Sequence, residues 1–193
     1  MSTDFLVEIG TEELPPKALL TLSNAFRDEV LSQLNTEQLE FGEVQTFAAP
    51  RRLSIFIKAL DEQTPTKEIV AWGPPVKVAL DADGKPTRAA EAFAKKNGIP
   101  IEELASKVEN DGKQDKLCHR AVEQGQATSD LLGTIVQSAL AALPIPKRMR
   151  WGINREEFVR PVHWVVMLLG GDVIKTQVMG LTAGNTSRGH RFH

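Results

Sequence analysis

The segment Phe5-Leu6-Val7-Glu8-Ile9 reads as an opening strand that stops at Gly10, and Glu12-Glu13-Leu14-Pro15-Pro16 as the entry to a helix, where proline suits the first turn. Leu19, Leu22, Phe26, Val30 and Leu34 recur at spacings of three and four, so one apolar stripe carries that helix to about Leu34. Val44 to Phe47, a break at Ala49-Pro50, and Leu53, Ile55, Ile57 and Ala59 at period two predict two strands around a tight connection. Strand, helix, strand, strand is an α+β opening.

Thr64-Pro65 and Gly73-Pro74-Pro75 punctuate the next stretch, and Val76, Val78 and Leu80 predict a strand running into a hairpin turn at Asp83-Gly84. A helix is expected from Thr87 to Asn97, broken by Gly98-Ile99-Pro100, with a second short helix at Ile101 to Leu104. Asp111-Gly112 with Leu117 to Val122 predicts a second hairpin. Thr128-Ser129-Asp130 offers capping oxygens to a helix whose stripe is Leu132, Ile135, Val136, Ala139, Leu140 and Leu143, ended by Pro144 and Pro146. Val162 to Leu169 and Val173 to Met179, joined through Gly170-Gly171-Asp172, form a further expected hairpin. The pattern predicts an α+β fold of mixed, mainly antiparallel sheets with packed helices, in three segments: 1–62, 63–143, and a basic, β-rich and incomplete 144–193.

Composition places the chain among ordinary globular proteins: 193 residues, 41% apolar and 25% charged, suit one sizeable domain or two small ones. Cys118 is the single cysteine, which excludes an internal disulfide and a multi-cysteine zinc site and fits a reducing compartment. Met1-Ser2-Thr3-Asp4 lacks the regions of a signal peptide, and the longest apolar run, Trp164 to Leu169, is too short to span a bilayer. The expectation is a cytoplasmic protein without a membrane segment.

Charge is unevenly distributed. From Pro144 to His193 there are eight Lys or Arg against three acids, a net +5 that leaves −7 on residues 1–143 of a chain whose total is −2. Arginines interleaved with Trp, His and Phe suit phosphate contacts and base stacking, so the segment points to a polyanion; an ion-paired subunit interface has the same composition.

Other motifs fall away. Asp81-Ala82-Asp83-Gly84 places Ala79 and Ala90 where a calcium loop requires its first and last carboxylates, so a turn is the stronger reading. Asn185-Thr186-Ser187 has the form of a glycosylation acceptor, which a chain without a signal peptide would not use. His190 and His193, or Cys118 and His119, fall short of a metal ligand set. Neither a phosphate loop nor a dinucleotide fingerprint is present, and no serine stands in a nucleophile elbow, so no catalytic residue is assigned. Glu8, Glu12 and Glu13 could form an acid/base group or a magnesium site, but are best read as carboxylates that pair with arginines at an interface.

Five separated blocks then occur in order: Phe5-Leu6-Val7-Glu8-Ile9-Gly10-Thr11-Glu12-Glu13-Leu14-Pro15, Ala48-Ala49-Pro50-Arg51-Arg52-Leu53, Pro144-Ile145-Pro146-Lys147 with Met149-Arg150-Trp151, Phe158 with Arg160-Pro161-Val162-His163, and Arg188-Gly189-His190-Arg191-Phe192. Together they resemble the beta subunit of bacterial glycyl-tRNA synthetase across essentially the whole chain. The resemblance implies an alpha2-beta2 ligase in which the alpha subunit carries the site for glycine, ATP and magnesium, while the beta subunit binds glycine tRNA and completes the assembly. It implies no cofactor bound by this chain. The candidate tRNA or alpha-subunit contacts are Arg51, Arg52, Lys147, Arg150, Trp151, Arg160, His163, Arg188, His190 and Arg191. The family's beta subunit is much longer, so a part of it is expected here, without chemistry of its own. A bare assembly scaffold and an editing hydrolase are the alternatives.

Overall fold

A computed structural model describes residues 1–81, 84–151 and 156–189. The chain folds as two compact units, one of Met1–Pro65 with the described residues from Gly125 onward, the other Thr66–Gln124. These divisions differ from the three segments expected: the helix after Thr128 belongs with the N-terminal elements, because its apolar stripe enters their core.

The first unit opens with β1 (Ser2–Thr11), α1 (Pro16–Thr36), β2 (Val44–Ala49) and β3 (Arg52–Asp61). Proline at the first turn of α1 needs no donor there, and Leu22, Phe26, Val30 and Leu34 are its buried stripe. The second unit holds β4 (Lys67–Pro75), α2 (Val76–Ala79), α3 (Arg88–Asn97), a 3-10 turn at Ile101–Ser106, β5 (Val108–Asn110) and β6 (Asp115–Glu123). The first unit resumes with α4 (Thr128–Ala142), β7 (Met149–Arg150), β8 (Glu157–Phe158), β9 (Val162–Leu169), β10 (Asp172–Val173), β11 (Gln177–Val178) and β12 (Leu181–Thr182).

In the first unit an antiparallel sheet runs in the order β10-β9-β1-β3-β2. Side chains alternate across it, so Phe5, Val7 and Ile9 share one face with Leu53, Ile55, Ile57, Val165 and Met167, and these join the stripes of α1 and α4 in one core. Phe5 and Phe26 are fully buried, and each such side chain contributes on the order of 1.5–3 kcal/mol of transfer free energy. The opposite face carries Glu8, Gly10, Arg52, Ser54 and Trp164.

The strand expected through Val76, Val78 and Leu80 is not formed. Val76–Ala79 is one helical turn, which buries Ala79 and leaves Val78 exposed, and the strand is the preceding Lys67–Pro75. Gly73-Pro74-Pro75 obscured it; β4 is an edge strand, where missing donors are tolerated. Gly84 takes φ +76° and donates to the Asp81 carbonyl in a turn, while Ala82 and Asp83 lie outside the described residues. The arm expected over Val173 to Met179 is also broken. Only Asp172–Val173 pairs with β9; Ile174 N–H then bonds the Met167 carbonyl, and β11 turns into β12 through Met179 and Gly180, both at positive φ. Thr128 makes no side-chain cap on α4; its hydroxyl donates to the Asp61 carbonyl at 2.5 Å instead.

That bond belongs to a short antiparallel stem where the chain leaves and re-enters the first unit. Thr64 N–H donates to the Gln126 carbonyl, Gln126 N–H to Thr64 Oγ1, and Thr128 N–H to the Glu62 carbonyl, each at 2.9 Å.

In the second unit, Leu117, Ala90 and Ala94 centre a small core between the sheet β4-β6-β5 and α3. The β5-β6 turn is held by Asp111. The Lys116 ammonium lies 2.6 Å from its Oδ2 and the Gln114 and Lys113 amides donate to Oδ1 at 2.9 Å, which lowers its pKa from an ordinary 3.8 to about 2. A depressed carboxyl stabilises the fold when ionised, so this contribution is complete above about pH 4 and is lost as pH falls towards 2. In an NMR pH series the Asp111 carboxyl carbon is expected to titrate near 2, with the hairpin amides following it; Asp111→Asn should abolish the transition. A midpoint near 3.8 would mean that the ion pair does not form.

Candidate functional site

Sheet register builds the site. Gly10 pairs with Arg52 on one side and Trp164 on the other, and Glu8 pairs with Ser54 and Val166 in the next row. The Trp164 ring lies flat over Gly10: a Cβ there would sit 1.9 Å from a ring carbon, so only glycine admits the ring. Trp164 Nε1 then reaches Glu8 Oε1 at 2.8 Å, and the Arg188 guanidinium stands 5.9 Å from the ring centroid.

Glu8, only 9% exposed, is the hub. Its Oε1 also accepts from Ser187 Oγ at 2.5 Å, and its Oε2 accepts from Arg52 Nη1 at 3.2 Å and Ser54 Oγ at 3.4 Å. Arg52 Nη2 donates onward to the Arg188 carbonyl at 2.7 Å. One buried carboxylate thus ties β1, β3 and β9 to the segment at 187–188, and burying its oxygens without such donors would be costly.

Beside the hub opens a cleft of about 480 Å³, lined by Thr11, Glu12, Glu13, Arg51, His163 and Arg188 among others. The backbone fixes its floor: Thr11 N–H donates to the Arg51 carbonyl at 2.9 Å, Glu12 N–H to Pro161 at 3.0 Å, and Leu14 N–H to Pro50 at 2.6 Å. His163 Nε2 lies 2.7 Å from Glu12 Oε1, and Arg51 lies 3.7 Å from Glu13. Among the described residues, Arg51, Arg52 and Arg188 stand with Glu8, Glu12 and Glu13 about the cleft and its hub, where Arg51 pairs with Glu13 and Arg52 with Glu8. The buried Thr11 hydroxyl has no partner among the described residues.

A family model described as the glycyl-tRNA synthetase beta subunit matches residues 5–193. The chain belongs to this family. It is 52% identical over 189 residues to a glycine–tRNA ligase beta subunit of Glaesserella parasuis serovar 5 (strain SH0165), and 51% identical to those of Histophilus somni (strain 129Pt) and Hahella chejuensis (strain KCTC 2396). Each match covers 98% of this chain and 27% of the relative, so the chain spans about a quarter of the length of these relatives.

Within this beta-subunit region the candidate residues divide. Glu8, Glu12, Glu13, Arg51, Arg52, His163 and Arg188, drawn from four of the separated blocks, meet at the hub and cleft. Arg160 adjoins them, donating to the Glu13 carbonyl at 3.1 Å and the Val159 carbonyl at 3.1 Å. Lys147, Arg150 and Trp151 belong to another part of the unit: Lys147 is exposed, Arg150 pairs with Glu157 at 2.6 Å across β7 and β8, and Trp151 packs against the core. His190 and Arg191 lie outside the described residues.

Sequence reasoning passed over Gly10, Thr11, Ser54, Trp164 and Ser187 as site residues. Gly10 carried a usable signal, since a glycine inside an apolar strand marks close approach of another group; the others carried none without the register. Arg148, counted in the basic segment, donates to the Ala141 and Leu143 carbonyls at 2.6 and 3.2 Å and closes the end of α4. Among the described residues no group of three His, Cys, Asp or Glu could hold a metal ion, and no helix is long and apolar enough to cross a membrane.

Proposed function

We propose that this part of the beta subunit is an assembly and positioning module of a heterotetrameric glycine–tRNA ligase. In this reading it binds the alpha subunit and helps to position glycine tRNA, while glycine, ATP and magnesium are handled by alpha, all in the cytoplasm. The observation that carries the reading is the convergence of residues from separated family blocks on one cleft. A surface organised by several ion pairs and one buried hub suits docking more than bond making.

A second reading, a scaffold without its own RNA site, is favoured by the ion pairing. Arg52 is engaged by Glu8 and Arg150 by Glu157, and a cation already paired neutralises fewer phosphates.

Labelled glycine tRNA titrated with the chain, with and without purified alpha subunit at low and moderate salt, tests both. The expected result is direct association with alpha, and tRNA binding that is weak for the chain alone, falls as salt rises, and tightens when alpha is present. Association with alpha but no tRNA contribution under any condition would leave the scaffold; absence of association with alpha would overturn the docking proposal. Alpha mixed with this chain is expected to restore little or no charging.

A further inference from the structure

We propose that the outward face of α3, with the turn that leads into it, is a binding surface for the phosphodiester backbone of RNA, with Arg88 and Lys95 as its central contacts. The proposal rests on the tRNA-positioning reading above and gives the second unit a phosphate site of its own.

Helical periodicity sorts the side chains of α3. Ala90 and Ala94 are buried on the face that meets the sheet, so Arg88, Ala92 and Lys95, at spacings of four and three, lie together on the opposite face with Lys96 beside them. All four are exposed. Two turns, about 10 Å, separate Arg88 from Lys95, and the Ala92 methyl between them is too small to hold an elongated ligand off the helix. Two more exposed cations flank the first turn. Lys85 closes the preceding turn, its N–H donating to Asp81 Oδ1 at 2.7 Å. Lys77 lies on α2, which is fixed to the start of α3 by bonds from Thr87 N–H to the Ala79 carbonyl at 2.8 Å and from Thr87 Oγ1 to the Val78 carbonyl at 2.7 Å.

Among the described residues none of these five cations has a carboxylate within ion-pair distance. On the sheet of the same unit, by contrast, Arg120 is held by Glu68 and Glu109, and Lys116 by Asp111. Helix stability does not account for the arrangement. Lys95 and Lys96 suit the negative end of the helix dipole, but Arg88 is the first residue of α3, where the dipole disfavours a cation. An anionic ligand gives it a role.

The surface selects a phosphodiester over an acidic protein. Protein docking draws on apolar or aromatic anchors buried at the centre of the contact, whereas the positions between these cations carry only Ala89 and Ala92, and the exposed Val78 is a single side chain on α2. A phosphate backbone needs no such anchor, because each unpaired cation adds affinity by releasing counterions.

The test is a fluorescence-anisotropy titration of labelled glycine tRNA, and of a short mixed-sequence RNA duplex, with the chain over a range of salt concentrations. Both are expected to bind in a salt-dependent way. Combining Arg88→Gln with Lys95→Gln should weaken binding about tenfold and lower the slope of log affinity against log salt by about 0.7–0.9 for each cation removed. Arg88→Lys should retain most of the affinity, and the thermal midpoint should not move, since both side chains are exposed and unpaired. Lys67→Gln with Lys113→Gln, an exposed pair elsewhere in the unit, is the charge-matched control and should bind like the parent. Unchanged affinity and slope in the Arg88/Lys95 variant, or an equal loss in the control, would overturn the proposal; tighter binding of a poly-glutamate peptide than of the duplex would overturn it in favour of an acidic protein. Repeating the tRNA titration with alpha present separates the two levels. Undiminished tRNA binding by the Arg88/Lys95 variant removes this site and leaves the positioning reading; duplex binding through Arg88 and Lys95 with no contribution to tRNA binding beside alpha removes the positioning reading and leaves the site.

Discussion

Glu8→Ala is expected to destabilise the first unit by about 3 kcal/mol, because it strips the shared acceptor from four donors at once. Arg52 would be left over a buried position with only the Arg188 carbonyl to satisfy it, and the Trp164 indole N–H would face the vacated space. Such a loss should lower the thermal midpoint by roughly 6–12 °C, read by circular dichroism. Glu8→Gln preserves shape but turns one acceptor into a donor, so it should lie between the two. The segment at 187–188 should also loosen, and trypsin should cut after Arg188 faster in Glu8→Ala than in the parent under conditions where both remain folded. A midpoint within a degree of the parent would show that Glu8 is a bystander.

Gly10→Ala should cost nearly as much, about 2–3 kcal/mol, for a steric reason. Its added methyl would lie 1.9 to 2.3 Å from three carbons of the Trp164 ring, and the ring cannot slide away without giving up Glu8. In a Trp164→Ala background the same change should become neutral or slightly stabilising, since alanine loses less backbone entropy than glycine in a strand. Denaturant unfolding of the four proteins gives the coupling directly, with about 2 kcal/mol or more expected between the two positions. Additive effects would mean that the ring does not rest on Gly10 in solution.

Much of the first unit was legible in the sequence because its signals are local. The period-two run at Leu53, Ile55 and Ile57 became β3, and the stripes from Leu22 to Leu34 and from Leu132 to Leu140 became α1 and α4. The β4 strand was hidden because Gly73-Pro74-Pro75 carries turn chemistry, which only an edge position excuses. Charge was legible as a sum but not as a geometry. Arg52 and Arg148 look alike in the chain, yet one secures a buried carboxylate and the other a helix end. The hub itself joins Glu8 to Ser187, 179 positions away, through a register that periodicity does not encode.

The stem formed by residues 62–64 and 126–128 has a topological consequence. For the sheet unit, residues 66–124 are a detour whose two ends already lie side by side and hydrogen-bonded. The entropy of closing such a detour grows only with the logarithm of its length, about 0.6 kcal/mol for each doubling. Sequence drift, shortening or enlargement of that stretch therefore leaves the tension on β3 and α4 nearly unchanged, and the hub and its cleft can stay fixed while the inserted unit diverges to suit whatever it meets.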